Sequence, residues 1–270
     1  MDLALECPVD YLPDLSPMGD FDFVLAHLAL NYPEYLSYYT ARRAEDGRMV
    51  VLDNGTNEMG RPCSIQEIEK VAGVLNPTLI VPPDFLGDGA KTMIEIGRGM
   101  ATWGGDRILP VVQGRKLEWV SDAVAYMLSI GLTYLSIPYD ILGDRSQPLT
   151  VLAEQRREMV ETIVQVADRN HIQVRLHLLG LNTLEEVRYY SCQLSDEVVS
   201  LDTGSPYLNA VWGKDFGKVL TGDQELVPKG HYMNYGWTKR QQDPEILERA
   251  GENIRILKNL MKGRGKGNYD

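Results

Sequence analysis

An α/β fold, a (β/α)8 barrel of the TIM type folded as a single domain over residues 1–270, is what three observations in the sequence predict. Short apolar runs rich in Val, Ile and Leu alternate with segments of helical period, the pattern of parallel strands joined by helical crossovers. Three of the runs end on an aspartate followed by turn formers: Met49 to Asp53, Thr78 to Asp84 and Val198 to Asp202. The length of 270 residues suits one barrel domain. A doubly wound open sheet is the alternative, but the first strand-to-helix turn has no G-x-G-x-x-G phosphate fingerprint.

Residues 1–20, rich in Pro, Asp and Leu without a clear period, read as a lead-in, and Phe21 to Leu28 reads as the first strand. After the Asp53 strand, Ser64 and Glu67 have the spacing of a capping box. Ile65, Ile68, Val71, Ala72 and Leu75 then recur at helical spacing. The Asp84 strand leads through Gly87-Asp88-Gly89 into a helix over about Ala90 to Met100. Arg107 to Gly114 is the next strand, Leu117 to Ile130 a helix, and Tyr134 to Asp140 a strand. A long helix spans roughly Leu149 to Arg169. Gln173 to Gly180 is a strand, Thr183 caps another helix, and the Asp202 strand follows. Residues 207–242 form an irregular insertion in which the eighth strand is expected. Asp243-Pro244 opens the last helix as N-cap and first-turn proline, and 262–270 is a basic tail.

Composition narrows the function classes. No apolar run approaches the roughly 18 residues that span a bilayer, and no basic segment leads into a long apolar one near Met1. A cytoplasmic location without membrane association is expected. Cys7, Cys63 and Cys192 lie far apart and read as reduced thiols. The four histidines are equally scattered, so spacing points to no metal site. A net charge of −11 excludes a generally basic, nucleic-acid-coating protein but leaves room for a local cationic groove.

In a barrel, the carboxyl ends of the strands converge on one mouth. Asp53, Asp84, Gln113, Asp140, Gly180 and Asp202 therefore meet there. Carboxylates at close quarters raise one another's pKa, so that some stay protonated while others act as base or nucleophile. Strand-exit aspartates also serve as helix caps and loop ties. His177, in mid-strand, reads as a hydrogen-bonded interior residue.

The order and wording of these strand ends resemble the tRNA-guanine transglycosylase family, and more closely the transglycosylases encoded by bacteriophages that place 7-deazaguanines in DNA. Leu52-Asp53-Asn54-Gly55 is similar to the family's D-S-G-G-F-Q turn, and Pro83-Asp84 falls where the family keeps a base-reading aspartate. Val112-Gln113-Gly114 matches V-Q-G, Leu179-Gly180-Leu181-Asn182-Thr183 resembles M-G-x-G-T, and Ser200-Leu201-Asp202 aligns with the F-D strand end. The resemblance implies Asp202 as covalent nucleophile and Asp53 as acid/base. It implies Asp84, Gln113, Gly114 and Gly180 as substrate-binding residues. Thr56 and Asn57 replace the family's second glycine and its stacking phenylalanine, which transfers that role to Tyr139, and Ser136-Ile137-Pro138-Tyr139 stands in place of G-G-L. The C-x-C-x-x-C zinc motif of the tRNA enzymes is missing, which favours DNA over tRNA as acceptor.

The activity so implied replaces guanine by a 7-deazaguanine (preQ0-like) in DNA through a covalent aspartyl-glycosyl intermediate. It needs no cofactor and no metal. The partners are DNA and the free 7-deazaguanine base, a homodimer is compatible with the chain, and a phage-encoded protein would act in the host cytoplasm. Lys229, His231, Lys239 and Arg240 form the expected cationic track for the nucleic acid, interleaved with Tyr232, Tyr235 and Trp237. The alternatives are a tRNA-guanine transglycosylase, its non-catalytic partner subunit, and a carboxylate-dependent glycoside hydrolase.

Overall fold

A computed structural model describes residues 1–140, 147–227 and 242–263. Strand β1 (Asp2–Leu5) comes first, followed by a short helix α1 (Leu12–Leu15). Next are β2 (Asp22–Leu25), α2 (Ala26–Asn31), α3 (Pro33–Asp46), β3 (Val50–Asp53), α4 (Thr56–Met59) and α5 (Ile65–Leu75). Then follow β4 (Leu79–Ile80), α6 (Gly89–Trp103), α7 (Leu117–Ser129), β5 (Tyr134–Ile137) and α8 (Leu149–Arg169). The described chain continues with β6 (Arg175–Leu179), α9 (Leu184–Gln193), β7 (Val198–Thr203), α10 (Ser205–Val211), α11 (Phe216–Leu220) and α12 (Pro244–Met261).

Every strand pairing is parallel. One sheet has the order β1-β7-β6-β5 and the other β2-β3-β4. Segment 108–112 lies between them, bridging to β4 through Ile80–Ile108 and to β5 through Val111–Ser136. Beside the opposite edge, the Asp20 amide donates to the Leu3 carbonyl. Strands buried on both faces read as continuous apolar runs; β2 and β3 are buried at every position.

The structure redraws five elements of the sequence reading. The lead-in contains β1, a full member of its sheet, with Ala4 opposite Asp202. The first expected strand stops at Leu25, where α2 begins. The expected strands over 78–84 and 107–114 are cut to a two-residue strand and to isolated bridges, because Pro82, Pro83 and Pro110 bring no amide hydrogen to a ladder. Within 207–227 the backbone is helical over α10 and α11 rather than extended, and the strand beyond the seven expected from the sequence is β1. The rest of that expected insertion, 228–241, lies outside the described residues, as does the tail beyond Gly263.

Helix boundaries follow their caps. The Ser64–Glu67 capping box is complete, with Glu67 N–H donating to Ser64 Oγ and the Ser64 amide donating to the Glu67 carboxylate. Thr183 accepts from Glu186 N–H and Asp243 from Glu245 N–H. No helix among the described residues is long and apolar enough to cross a membrane.

Candidate active site

The site sits where β1, β3, β6 and β7 end. Side chains alternate along a strand, so Ser200 and Asp202 share a face of β7. His177 on β6 stands opposite Ser200, and Ser136 on β5 stands opposite His177. Ala4 on β1 is opposite Asp202, and Glu6 lies one layer further along the same face, its amide donating to the Thr203 carbonyl at 3.1 Å. The apolar surroundings include Phe23, stacked on the His177 ring at 5.5 Å between centroids, and Phe21, edge-on at 6.0 Å.

Asp202 is buried and its Oδ1 lies within hydrogen-bond distance of His177 Nε2, at 2.8 Å. Glu6 hydrogen-bonds to Asp202 as well, and burial, followed by the Asp202 charge and that of Glu58, holds the Glu6 carboxyl well above the usual carboxylate range. Two carboxyl groups can share a hydrogen bond only if one carries a proton, and Glu6 is the one that keeps it. Asp53 is buried and also held well above its usual range, first by desolvation, then by Glu58, Asp84 and Asp202. Its one local support is the Gly55 amide, which donates to Oδ2 at 2.7 Å. Gly55 has φ 74°, and a Cβ there would collide with the His27 ring, so this turn requires glycine.

Asp84 has a different environment. Asn54 Nδ2 donates to its Oδ1 at 2.8 Å and Gln113 Nε2 to its Oδ2 at 2.6 Å. Burial raises its pKa, and these donors counter the rise. Gln113 is held in turn by the Gly87 amide, which donates to its Oε1 at 3.0 Å. Gln113 is thereby a brace for Asp84. Thr56, the departure from the family turn, donates its amide to Asn54 Oδ1 at 2.8 Å and its hydroxyl to the Asp84 carbonyl at 3.0 Å, tying the two strand ends together.

The remaining expected residues divide. Tyr139 is half-buried and spans the mouth, its hydroxyl donating to Asn57 Oδ1 at 2.9 Å while its carbonyl accepts from Asn182. Gly180 has φ 72° and its carbonyl is bound by Arg156 Nη1 at 2.9 Å. Arg156 also binds the Leu179 carbonyl and forms a fork with Glu186, Nε to Oε1 and Nη2 to Oε2, both at 2.6 Å. Gly180 is therefore held as part of a staple under the β6 loop. Gly114 packs its bare face on Trp119 and Val120 of α7, the close approach that excludes a side chain there. Lys229, His231, Lys239 and Arg240 lie outside the described residues.

Glu6 and Glu58 are the members of the cluster that sequence reasoning missed. Glu6 had a signal, because Leu3-Ala4-Leu5-Glu6 repeats in brief the pattern of an apolar run ending in an acid. His177 is the hydrogen-bonded interior residue that its position suggested, and its partner is Asp202 itself.

No protein-family model matches the chain, and no curated protein sequence matches it. Among solved structures, a candidate fructose-1,6-biphosphate aldolase from Coccidioides immitis is similar, with a TM-score of 0.51 at 12% identity over 98% of this chain and 92% of that one. A candidate phosphonomutase from Burkholderia cenocepacia J2315 follows, with a TM-score of 0.33 at 10% identity over 82% of this chain and 92% of that one. The 3-keto-D-glucoside 4-epimerase from E. coli has a TM-score of 0.28 at 14% identity, over 84% of this chain and 93% of that one. The last two are too distant in shape to carry an argument. The first shows the fold alone, that of the α/β barrel enzymes.

Proposed function

We propose that the eight strand positions close into one (β/α)8 barrel and that the chain is a base-exchange transglycosylase, an enzyme that replaces guanine by a 7-deazaguanine in DNA. The observation that carries the reading is the grouping of two further carboxyl groups with Asp202. Asp202 is fixed by His177, and burial and acidic neighbours hold the carboxyls of Glu6 and Asp53 well above the usual carboxylate range. Base exchange asks for a carboxylate to attack C1′ and an acid to protonate the departing base, through an oxocarbenium-like transition state.

In this reading Asp202 attacks C1′ of an extruded nucleotide as the bond to guanine breaks, leaving a glycosyl ester on the enzyme. Asp53 delivers a proton to the leaving guanine and takes one back from the incoming 7-deazaguanine, which captures the sugar with retention. Asp84 reads the guanine edge. Its Oδ1 and Oδ2 are each oriented by a side-chain amide, that of Asn54 and that of Gln113. Tyr139 stacks on the base from the mouth, and the partner macromolecule is DNA rather than tRNA.

The test is incubation with duplex DNA and a labelled 7-deazaguanine, followed by digestion to nucleosides. Labelled deoxynucleoside is expected, together with a DNA–protein adduct that Asp202→Asn does not form. Label entering tRNA alone would reassign the acceptor, and sugar release without base exchange would make the protein a glycoside hydrolase.

A further inference from the structure

A second polar array runs through the interior away from the mouth. Tyr134, at the start of β5, has its hydroxyl 2.6 Å from Ser200 Oγ. Ser200 Oγ lies 2.8 Å from His177 Nδ1, and His177 Nε2 lies 2.8 Å from Asp202 Oδ1. The four side chains come from three adjacent strands whose register stacks them on one face: Tyr134 opposite Arg175, His177 opposite Ser200, and Asp202 one layer above. Ser200, His177 and Asp202 are all buried, and the imidazole lies against Phe23.

Donor directions in the array are linked. With Asp202 Oδ1 as the acceptor, His177 carries its hydrogen on Nε2. Nδ1 then accepts from the Ser200 hydroxyl, and Ser200 Oγ accepts from the Tyr134 hydroxyl, whose aromatic ring carries Arg175 4.6 Å above it. In this direction each of the three hydrogen bonds carries one hydrogen. Reversal would move the hydrogen shared by His177 and Asp202 onto Asp202 and put the ring hydrogen on Nδ1.

We infer that His177 is the positioning residue of Asp202, held by Ser200 and Tyr134 in the Nε2–H form, so that Oδ1 is tied down and the plane of the Asp202 carboxyl is fixed. That this plane is the one substrate meets rests on the proposed transglycosylase reading; the locked array does not. A 1 Å misplacement of a reacting atom can cost about 100-fold in rate, which is the scale on which such a lock acts.

The test uses the full chain labelled with 15N-histidine. NMR is expected to show His177 with a pyrrole-type Nε2 and a hydrogen-bonded, bare Nδ1. Asp202→Asn should shift the Nε2 signal, and Ser200→Ala the Nδ1 signal. A pyrrole-type Nδ1 would overturn the inference. In the exchange assay, His177→Gln, whose amide can still donate to Asp202, should keep turnover within about tenfold of the parent. His177→Leu should lose about 100-fold in kcat with KM little changed. Equal losses in the two variants, at matched thermal stability, would also overturn it. Parent protein with the expected spectra but no base exchange would sink the transglycosylase reading and leave the lock standing.

Discussion

The two flanks of the mouth treat a buried carboxyl group in opposite ways. On the Asp84 flank, two side-chain amides meet the two carboxylate oxygens, and the strand ends are tied to each other through Asn54 and Thr56. On the Asp202 flank, Glu6, Asp53 and Asp202 face one another with few neutral donors, and proton uptake relieves the repulsion. The first arrangement fixes a shape and the second stores protons. The proposed base exchange, which recognises a flat base and moves a proton onto it, calls for one of each.

Substitutions can break this contrast, and the largest effect is expected at Asp202. Asp202→Asn should lower base exchange by at least about 10⁴-fold, the scale of losing a nucleophile, measured by single-turnover incorporation of labelled base. Arg156→Met should come next. It leaves Glu186 buried without its partner and frees the Leu179 and Gly180 carbonyls, at a cost of about 3–5 kcal/mol read from urea denaturation. Asp84→Asn should destabilise by about 1–3 kcal/mol, because an amide nitrogen then faces the Asn54 or Gln113 amide, and should raise KM for the free base more than it lowers kcat.

The smallest expected effect has the opposite sign and is the sharpest probe of the contrast. Glu6 has its folded pKa raised, so the native state keeps a proton that the unfolded chain releases. Its contribution to stability is complete below the unfolded carboxylate pKa and is lost as pH rises toward the folded value. Glu6→Gln removes that loss. It should therefore stabilise the protein at pH 7 by ~1 kcal/mol, with the advantage vanishing near pH 4, while exchange activity falls. Thermal melts of parent and variant across that pH range decide it. A variant less stable than the parent at pH 7 would show that Glu6 is ionised and paired.

Much of the fold was legible in the sequence because its signals are local. The Ser64–Glu67 box, the Asp243-Pro244 start and the long run from Leu149 to Arg169 depend on neighbours within one or two helical turns. The strand-end aspartates were legible too, as acids closing apolar runs. Elements that depend on distant partners were not. The four residues of β1 carry no period of their own and are made a strand by β7, nearly two hundred positions away. Glu6 was lost with β1. Gln113 was visible as a strand-end amide, but its engagement with Asp84 and Gly87 needs three loops in place at once. For the same reason the packing of Gly114 on Trp119 and the Arg156 bond to the Gly180 carbonyl could not be read from the sequence.

The pairing of β1 with β7 also has a kinetic consequence. Strand β1 finds its ladder partner only after Val198 to Thr203 has been made, so Glu6 meets Asp202 late. Contacts of such long sequence separation slow folding and leave strand edges open meanwhile. The carboxyl cluster, with its mutual repulsion, is then assembled only in the last stage, once the surrounding sheet is able to hold it.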